Sequence, residues 1–287
     1  EVPIEQISLN CNPYFKSKKN ETAAIESFIS QVVVDFLSYS IGCMMGRYSL
    51  DQKGLVYANS GNEGFSELEQ QGIYKTFPVD DDGIIPITDQ EWFADDATNS
   101  FREFVGVVWG EDDLQQNLDF VAECLCLYAI KAKNSESSLD TIRRYLSTKF
   151  YKEHLKTYKK RPIYWLFSSG KQKAFECLVY LHRYNEGTLA RIRTEYVTPL
   201  LGKYDIYAYQ LQKQLDDASS TTEANRFKNE IRVLQKKQSE LREFDDKLKY
   251  YADMQISLDL DDGVKVNYGK FDDLLGDVKA IHGKLAS

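Results

Sequence analysis

The chain has 287 residues, 36 Lys and Arg against 44 Asp and Glu, and a formal charge of −8. That length can bury a proper core and suggests about two domains, and a composition 43% hydrophobic and 13% aromatic excludes a disordered chain. No run of about 18 apolar residues is present, which argues against a membrane span, and the negative total argues at first sight against a nucleic-acid partner.

Residues 1–20 form a polar lead-in. It begins Glu1-Val2-Pro3-Ile4, with neither an initiator Met nor a signal-peptide core, as in a piece cut from a longer protein. Asn10-Cys11-Asn12-Pro13-Tyr14-Phe15 resembles the Asn-Pro-Pro-Tyr motif of amino-methyltransferases but lacks the second Pro and any preceding glycine-rich loop, so it reads as a turn. Ala24, Ile25, Phe28, Ile29, Val32, Val33, Phe36 and Leu37 recur at three- and four-residue steps and predict an amphipathic helix over 21–39. Short elements follow, broken by Gly42, Gly46 and Gly54, and then loops over 58–89. Asp80-Asp81-Asp82-Gly83 fits no calcium loop and is expected to be a solvated acidic turn. Ile84–Ile87 is at best an edge strand because of Pro86. Asp89 or the pair Asp95-Asp96 caps helices reaching Val108, and Asp112-Asp113 caps another running to Ile130.

Beyond a polar linker at 131–138, Leu139 to Tyr158 reads as helix. Lys159-Lys160-Arg161-Pro162 leads into two apolar runs, Ile163–Phe167 and Ala174–Tyr184, around Ser168-Ser169-Gly170-Lys171-Gln172-Lys173, the pattern of a β-hairpin with an exposed turn suited to a DNA groove. A helix opens at Gly187-Thr188 and is expected to break near Pro199 and Gly202. Residues 204–252 read as two antiparallel helices joined through the capping box Ser220–Glu223, and serve as a brace. Ile256–Val266 alternates like a small hairpin, and Phe271–Leu285 reads as a closing helix.

Charge is segregated along this order. Residues 51–126 carry 17 acidic and three basic side chains, whereas residues 143–193 carry 13 Lys and Arg against three acids. That basic window also holds ten aromatics, and cations with planar side chains are what phosphates and bases call for. The candidate phosphate contacts are Lys156, Lys159, Lys160, Arg161, Lys171, Lys173, Arg191 and Arg193. Tyr164, Trp165, Ser168, Ser169 and Arg183 are the candidates for base or groove contact. The three His are scattered and only Cys124 and Cys126 lie close together, so no metal site is expected, and the five Cys suit reduced thiols of a cytoplasmic protein.

Several strings carry a resemblance. Gly42-Cys43-Met44-Met45-Gly46-Arg47-Tyr48-Ser49-Leu50-Asp51, Lys159–Gly170, Tyr180-Leu181-His182-Arg183-Tyr184 and Leu258–Tyr268 are similar to the PglX methyltransferases of BREX (bacteriophage exclusion) systems. The resemblance implies the C-terminal region of a site-specific DNA adenine-N6 methyltransferase in phage defence. Its S-adenosylmethionine site and catalytic motif would lie upstream, so this fragment holds no catalytic or cofactor residues of its own. Double-stranded DNA is the implied partner, other BREX components are further candidates, and no membrane is involved. The alternative is a protein-interaction module that docks defence components without binding DNA. The expected architecture is a helix-dominated α+β fragment with short β-hairpins and a long helical hairpin. Its expected parts are an acidic region at 1–140, a basic recognition segment at 141–200, the brace at 201–255, and a C-terminal hairpin and helix at 256–287.

Overall fold

The computed structural model describes residues 21–276 together with Val278 and Ile281. The lead-in and most of the expected closing helix lie outside these residues. In chain order the elements are α1 (Glu21–Met44), α2 (Phe65–Gln70), β1 (Ile84–Pro86), α3 (Ala97–Trp109), α4 (Leu114–Tyr128), α5 (Ser138–Tyr145), a π-helical turn (Leu146–Phe150), α6 (Tyr151–Thr157), β2 (Tyr164–Ser168) and β3 (Glu176–Tyr180). There follow α7 (Thr188–Arg191), a second π-helical turn (Ile192–Val197), α8 (Thr198–Asp216), α9 (Thr221–Asp253), a 3-10 turn (Leu260–Asp262), α10 (Val264–Gly269) and a last 3-10 turn (Asp272–Leu274). The fold is a helix-dominated α+β arrangement around one small sheet.

That sheet is antiparallel with strand order β1-β3-β2, and Trp165 pairs with Val179, which pairs with Ile84. Its two faces serve two different cores. Tyr164, Leu166, Leu178, Tyr180 and Ile85 belong to the first core, with Leu37, Ile41, Phe101, Phe104, Val121 and Tyr145 from α1, α3, α4 and α5. Trp165, Phe167, Cys177, Val179 and Ile84 belong to the second, with Phe175, Leu200, Tyr204, Leu241, Phe244 and Phe271. Successive side chains of a strand leave on opposite faces. A sheet covered on both faces therefore reads as a continuous apolar run rather than as an alternation, which is why all five residues of β2 and all five of β3 are buried. The free edge of β2 is covered by the chain end, where Phe167 bridges to Leu275 and Gly276 N–H donates to Leu166 O at 2.7 Å.

Local signals explain most boundaries. Asp96 caps α3 by accepting from Thr98 and Asn99 N–H, both at 2.9 Å. Ser220 Oγ accepts from Glu223 N–H at 3.2 Å, while the Glu223 carboxylate accepts from Ser219 N–H and Oγ, both at 3.0 Å. The expected break near Pro199 is absent. The second π-helical turn delivers the chain so that Pro199 falls in the first turn of α8, where a missing N–H costs nothing. The expected hairpin at 256–266 is also absent. Asp259 Oδ1 accepts from Asp261 N–H at 2.9 Å and curls the backbone into the 3-10 turn, and the buried Asn267 bonds back to Asp259 O and Gly263 O, so the alternation there is not a strand. The paired helices α8 and α9 bury Leu211, Phe227, Leu234, Leu241, Phe244 and Leu248 in the second core.

Helix α1 is long and apolar enough, by length and composition, to cross a membrane, a property that counting uninterrupted apolar runs misses. Half of its most apolar window is buried within the protein, against α3 and α4.

Candidate nucleic-acid interface

The hairpin residues expected to touch bases are inside the protein. Tyr164 and Trp165 are 1% and 2% exposed, on opposite faces of the sheet. The Trp165 indole N–H donates to Pro162 O at 3.1 Å, and its ring meets Tyr268 and Phe271 edge-on. Buried Ser168 donates to Glu176 Oε1 at 2.9 Å. Arg183 lies over the Phe65 ring at 4.0 Å and donates to Asp80 O at 2.6 Å, Asp81 O at 2.9 Å and Asn62 Oδ1 at 3.3 Å. The base-contact expectation for Tyr164, Trp165, Ser168 and Arg183 is thus corrected: all four side chains are buried, and the polar groups of Trp165, Ser168 and Arg183 are spent on this chain.

The hairpin turn is held rather than free. Glu240 of α9 accepts from Ser169 Oγ at 2.7 Å, Gln172 N–H at 2.6 Å and Ala174 N–H at 3.2 Å. Gly170 has a φ of +131°, which favours glycine, and a Cβ there would press on the Glu240 carboxylate at 3.1 Å. Lys173 is exposed but donates to Glu176 Oε2 at 2.7 Å and Ser147 O at 3.0 Å. Lys171 remains exposed at the tip and has no ion pair among the described residues. Arg191 and Arg193 are likewise committed, to Glu195 at 2.9 Å and to Asp245 at 3.0 Å.

Much of the basic window is therefore neutralised internally. Arg143 forms a buried pair with the helix-capping Asp96, and Arg144 a partly buried one with Glu136 at 2.5 Å. Among the described residues, Lys149, Lys152, Lys159, Lys160, Arg161 and Lys171 are the window's exposed cations that pair with no carboxylate. All but Lys171 lie along one edge. Lys149, Lys152 and Lys156 follow at steps of three and four and so share a helix face; Lys156 has only its exposed neighbour Glu153, at 2.7 Å. The edge continues into the turn that ends α6, where Lys159 and Lys160 take left-handed φ values of 49° and 64°. Lys160 N–H to Leu155 O at 2.6 Å and Arg161 N–H to Tyr158 O at 2.9 Å hold that turn. An open cleft of about 580 Å³ lies beside it, lined by Lys159, Lys160, Arg161 and Lys265 with Asp262 and Val264. Sequence reasoning did not single out Lys149, Lys152 or Lys265, although the i, i+3, i+7 spacing of the first two with Lys156 was a usable signal.

The acidic half is less solvated than its sequence suggests. Asp80 Oδ1 accepts from the Asp82, Gly83 and Ile84 N–H groups at 3.2, 2.7 and 3.2 Å. Burial, and then the neighbouring Asp82, push the Asp80 carboxyl up to about 8. Tyr196 Oη reaches both Asp82 and Asp95, each at 3.0 Å. The expected solvated acidic turn is thus solvated only in part: Asp80 and Asp82 are turned inward, and Asp81 stays exposed. No group of three or more His, Cys, Asp and Glu side chains placed to hold a metal occurs among the described residues.

No protein-family model matches the chain. It is 62% identical over 281 residues to the adenine-specific methyltransferase BrxX of Escherichia coli O9:H4 (strain HS), an alignment that covers 97% of this chain and 23% of that protein. It is 42% identical over 238 residues to the adenine-specific methyltransferase PglX of Lacticaseibacillus casei (strain Zhang), covering 82% of this chain and 19% of that one. The chain spans less than a quarter of the length of these curated relatives.

Proposed function

On the premise that the chain belongs with the BrxX and PglX adenine-specific methyltransferases, we propose that it is the C-terminal, DNA-contacting part of such an enzyme in a BREX phage-defence system. In this reading S-adenosylmethionine binding and methyl transfer belong to another part of the whole protein. Adenine must leave the base stack before its amino group can be methylated, so a separate surface has to grip the duplex and fix its register. The observation that carries the reading is the edge Lys149–Lys152–Lys156–Lys159–Lys160–Arg161, which pools positive charge that the protein's carboxylates leave largely uncompensated.

The edge suits phosphates better than bases. Its members are flexible and solvated, whereas base discrimination needs side chains fixed against a groove. Eight of the ten aromatics that looked suited to stacking are core residues, and Tyr151 and Tyr158 are half-buried. In this reading the segment positions DNA, and target choice needs groups beyond the residues singled out from the sequence.

The test is titration of fluorescent duplex DNA with this chain over a range of salt concentrations. Four to six phosphate contacts predict a slope of log affinity against log salt of about −4 to −5. Absence of duplex binding at about 50 mM salt overturns the reading and leaves a protein-docking role.

A further inference from the structure

Within the string Gly42–Asp51, one side chain has no explanation in the core or in the edge just described. Arg47 follows the turn that ends α1. Its Nε–H donates to Tyr48 Oη at 3.2 Å and its Nη1–H to Tyr180 Oη at 3.1 Å. The Tyr180 hydroxyl spends its own proton on Tyr57 O at 2.7 Å, so it acts toward Arg47 as an acceptor only. The guanidinium carbon lies 5.3 Å from the Tyr48 ring centroid and 6.0 Å from those of Tyr158 and Tyr180. The sequence is shaped for this arrangement. A Cβ on Gly42 would stand 2.4 Å from the Tyr48 ring, so glycine is what lets that ring lie against α1 beneath Arg47.

The charge balance of this cluster is incomplete. Arg47 is half-buried, and among the described residues it forms no ion pair with a carboxylate. Desolvating a guanidinium without a counter-charge is unfavourable, and phenol oxygens and ring faces offset that only partly. Arginine has five N–H donors in a planar fork suited to bidentate contact with a phosphate, and the bonds to Tyr48 and Tyr180, with the further contact to the Tyr158 hydroxyl, still leave donors over. The cage is also continuous with the cationic edge, since Tyr158 is followed directly by Lys159, Lys160 and Arg161.

We propose that Arg47, held in its cage of Tyr48, Tyr158 and Tyr180, is a binding site for a backbone phosphate of duplex DNA and forms the fixed end of the lysine-lined edge. The inference rests on the DNA-contacting reading above and adds a pre-oriented arginine to flexible lysines. Flexible lysines set the register only loosely, because each can follow its phosphate through several rotamers. An arginine whose Nε and Nη1 are already tied down loses little side-chain entropy on gripping a phosphate and so fixes where the duplex sits.

Two measurements on the 287-residue chain test it. The first is the salt dependence of duplex binding for the wild type, for Arg47→Gln, and for the double variant Lys152→Ala/Lys156→Ala. Arg47→Gln is expected to weaken binding by roughly tenfold or more and to reduce the magnitude of the salt slope by about 0.9. The second needs no variant: the rate at which phenylglyoxal modifies Arg47, read by mass spectrometry with and without saturating duplex, is expected to fall several-fold on binding. If Arg47→Gln fails to fold, this protection decides alone. If the wild type binds duplex and the lysine variant binds less tightly, while Arg47 is neither needed nor protected, the Arg47 site is overturned and the edge stands. If the wild type binds no duplex, both fall.

Discussion

Tyr164 and Trp165 are neighbours in the chain and lie in different hydrophobic cores. The Tyr164 ring stacks 4.8 Å from the His154 ring on one face of the sheet, and the Trp165 ring meets Phe271 at 5.7 Å on the other. The hairpin is the wall between two cores, and its aromatic side chains are there to fill both sides of it.

Truncation of either residue should therefore be a stability event. Trp165→Ala removes a large, fully enclosed side chain and is expected to cost about 3–5 kcal/mol, whereas Lys171→Ala at the exposed turn stays within about 0.5 kcal/mol of wild type. Urea denaturation of the two variants checks this; a near-neutral Trp165→Ala would contradict the two-sided sheet.

The hairpin turn depends on one carboxylate from α9. Glu240→Ala leaves Ser169 Oγ and the Gln172 and Ala174 N–H groups without their acceptor, and is expected to cost about 1–3 kcal/mol. Amide hydrogen exchange should rise at Gln172 and Ala174 while the β2–β3 ladder stays protected. Equal acceleration throughout the hairpin would mean that the turn and strands open together.

His154 should stay neutral in the folded protein down to strongly acidic pH. Its Nε2 accepts from Ile163 N–H at 3.1 Å and Tyr164 N–H at 3.2 Å, which only an unprotonated nitrogen can do. Burial, and then nearby Arg47, lower it to about 3. The unfolded ring takes a proton near pH 6.5, so this residue's contribution to stability is present above that value and is lost as pH falls toward 3. Imidazole carbon-proton shifts followed by NMR should show no titration of His154 above about pH 5.

Asp80 pulls the other way. Its folded carboxyl holds a proton up to about pH 8, while the unfolded one gives it up near 3.9. Its contribution is fully present below about pH 4 and declines as pH rises through about 8, by at most about 1.4 kcal/mol per pH unit. Asp80→Asn should flatten the wild-type decline between pH 6.5 and 8 and uncover the rise between pH 4 and 6.5 that His154 produces. Parallel stability–pH curves for Asp80→Asn and the wild type would show that Asp80 is ionised in the folded chain.

The local signals of the fold were legible because they are local. The steps of Phe28, Val32 and Phe36 mark α1, the Gly-centred turn marks the β2–β3 hairpin, and Ser220 marks the start of α9. What escaped depends on distant partners. Nothing near Trp165 in sequence says that Tyr268 and Phe271 will cover it, and nothing near Arg193 names Asp245, 52 residues on. The same limit governs the interface: a count of Lys and Arg gives the total charge, but only the fold shows that Arg143, Arg144, Arg191 and Arg193 answer acids of this chain. The aromatics misled for a related reason, since a strand covered on both faces and a strand presenting stacking platforms are equally apolar and aromatic.

The most direct test of the central claim, that DNA meets the lysine edge and not the hairpin, compares two variants at opposite ends of β2. Log affinity for a duplex is measured against log salt for Lys159→Ala/Lys160→Ala and for Lys171→Ala. The double variant is expected to weaken binding and lower the slope magnitude by about 1.8, at about 0.9 per lost phosphate contact, while Lys171→Ala leaves both unchanged. An unchanged slope in the double variant, or a loss confined to Lys171→Ala, would contradict the claim.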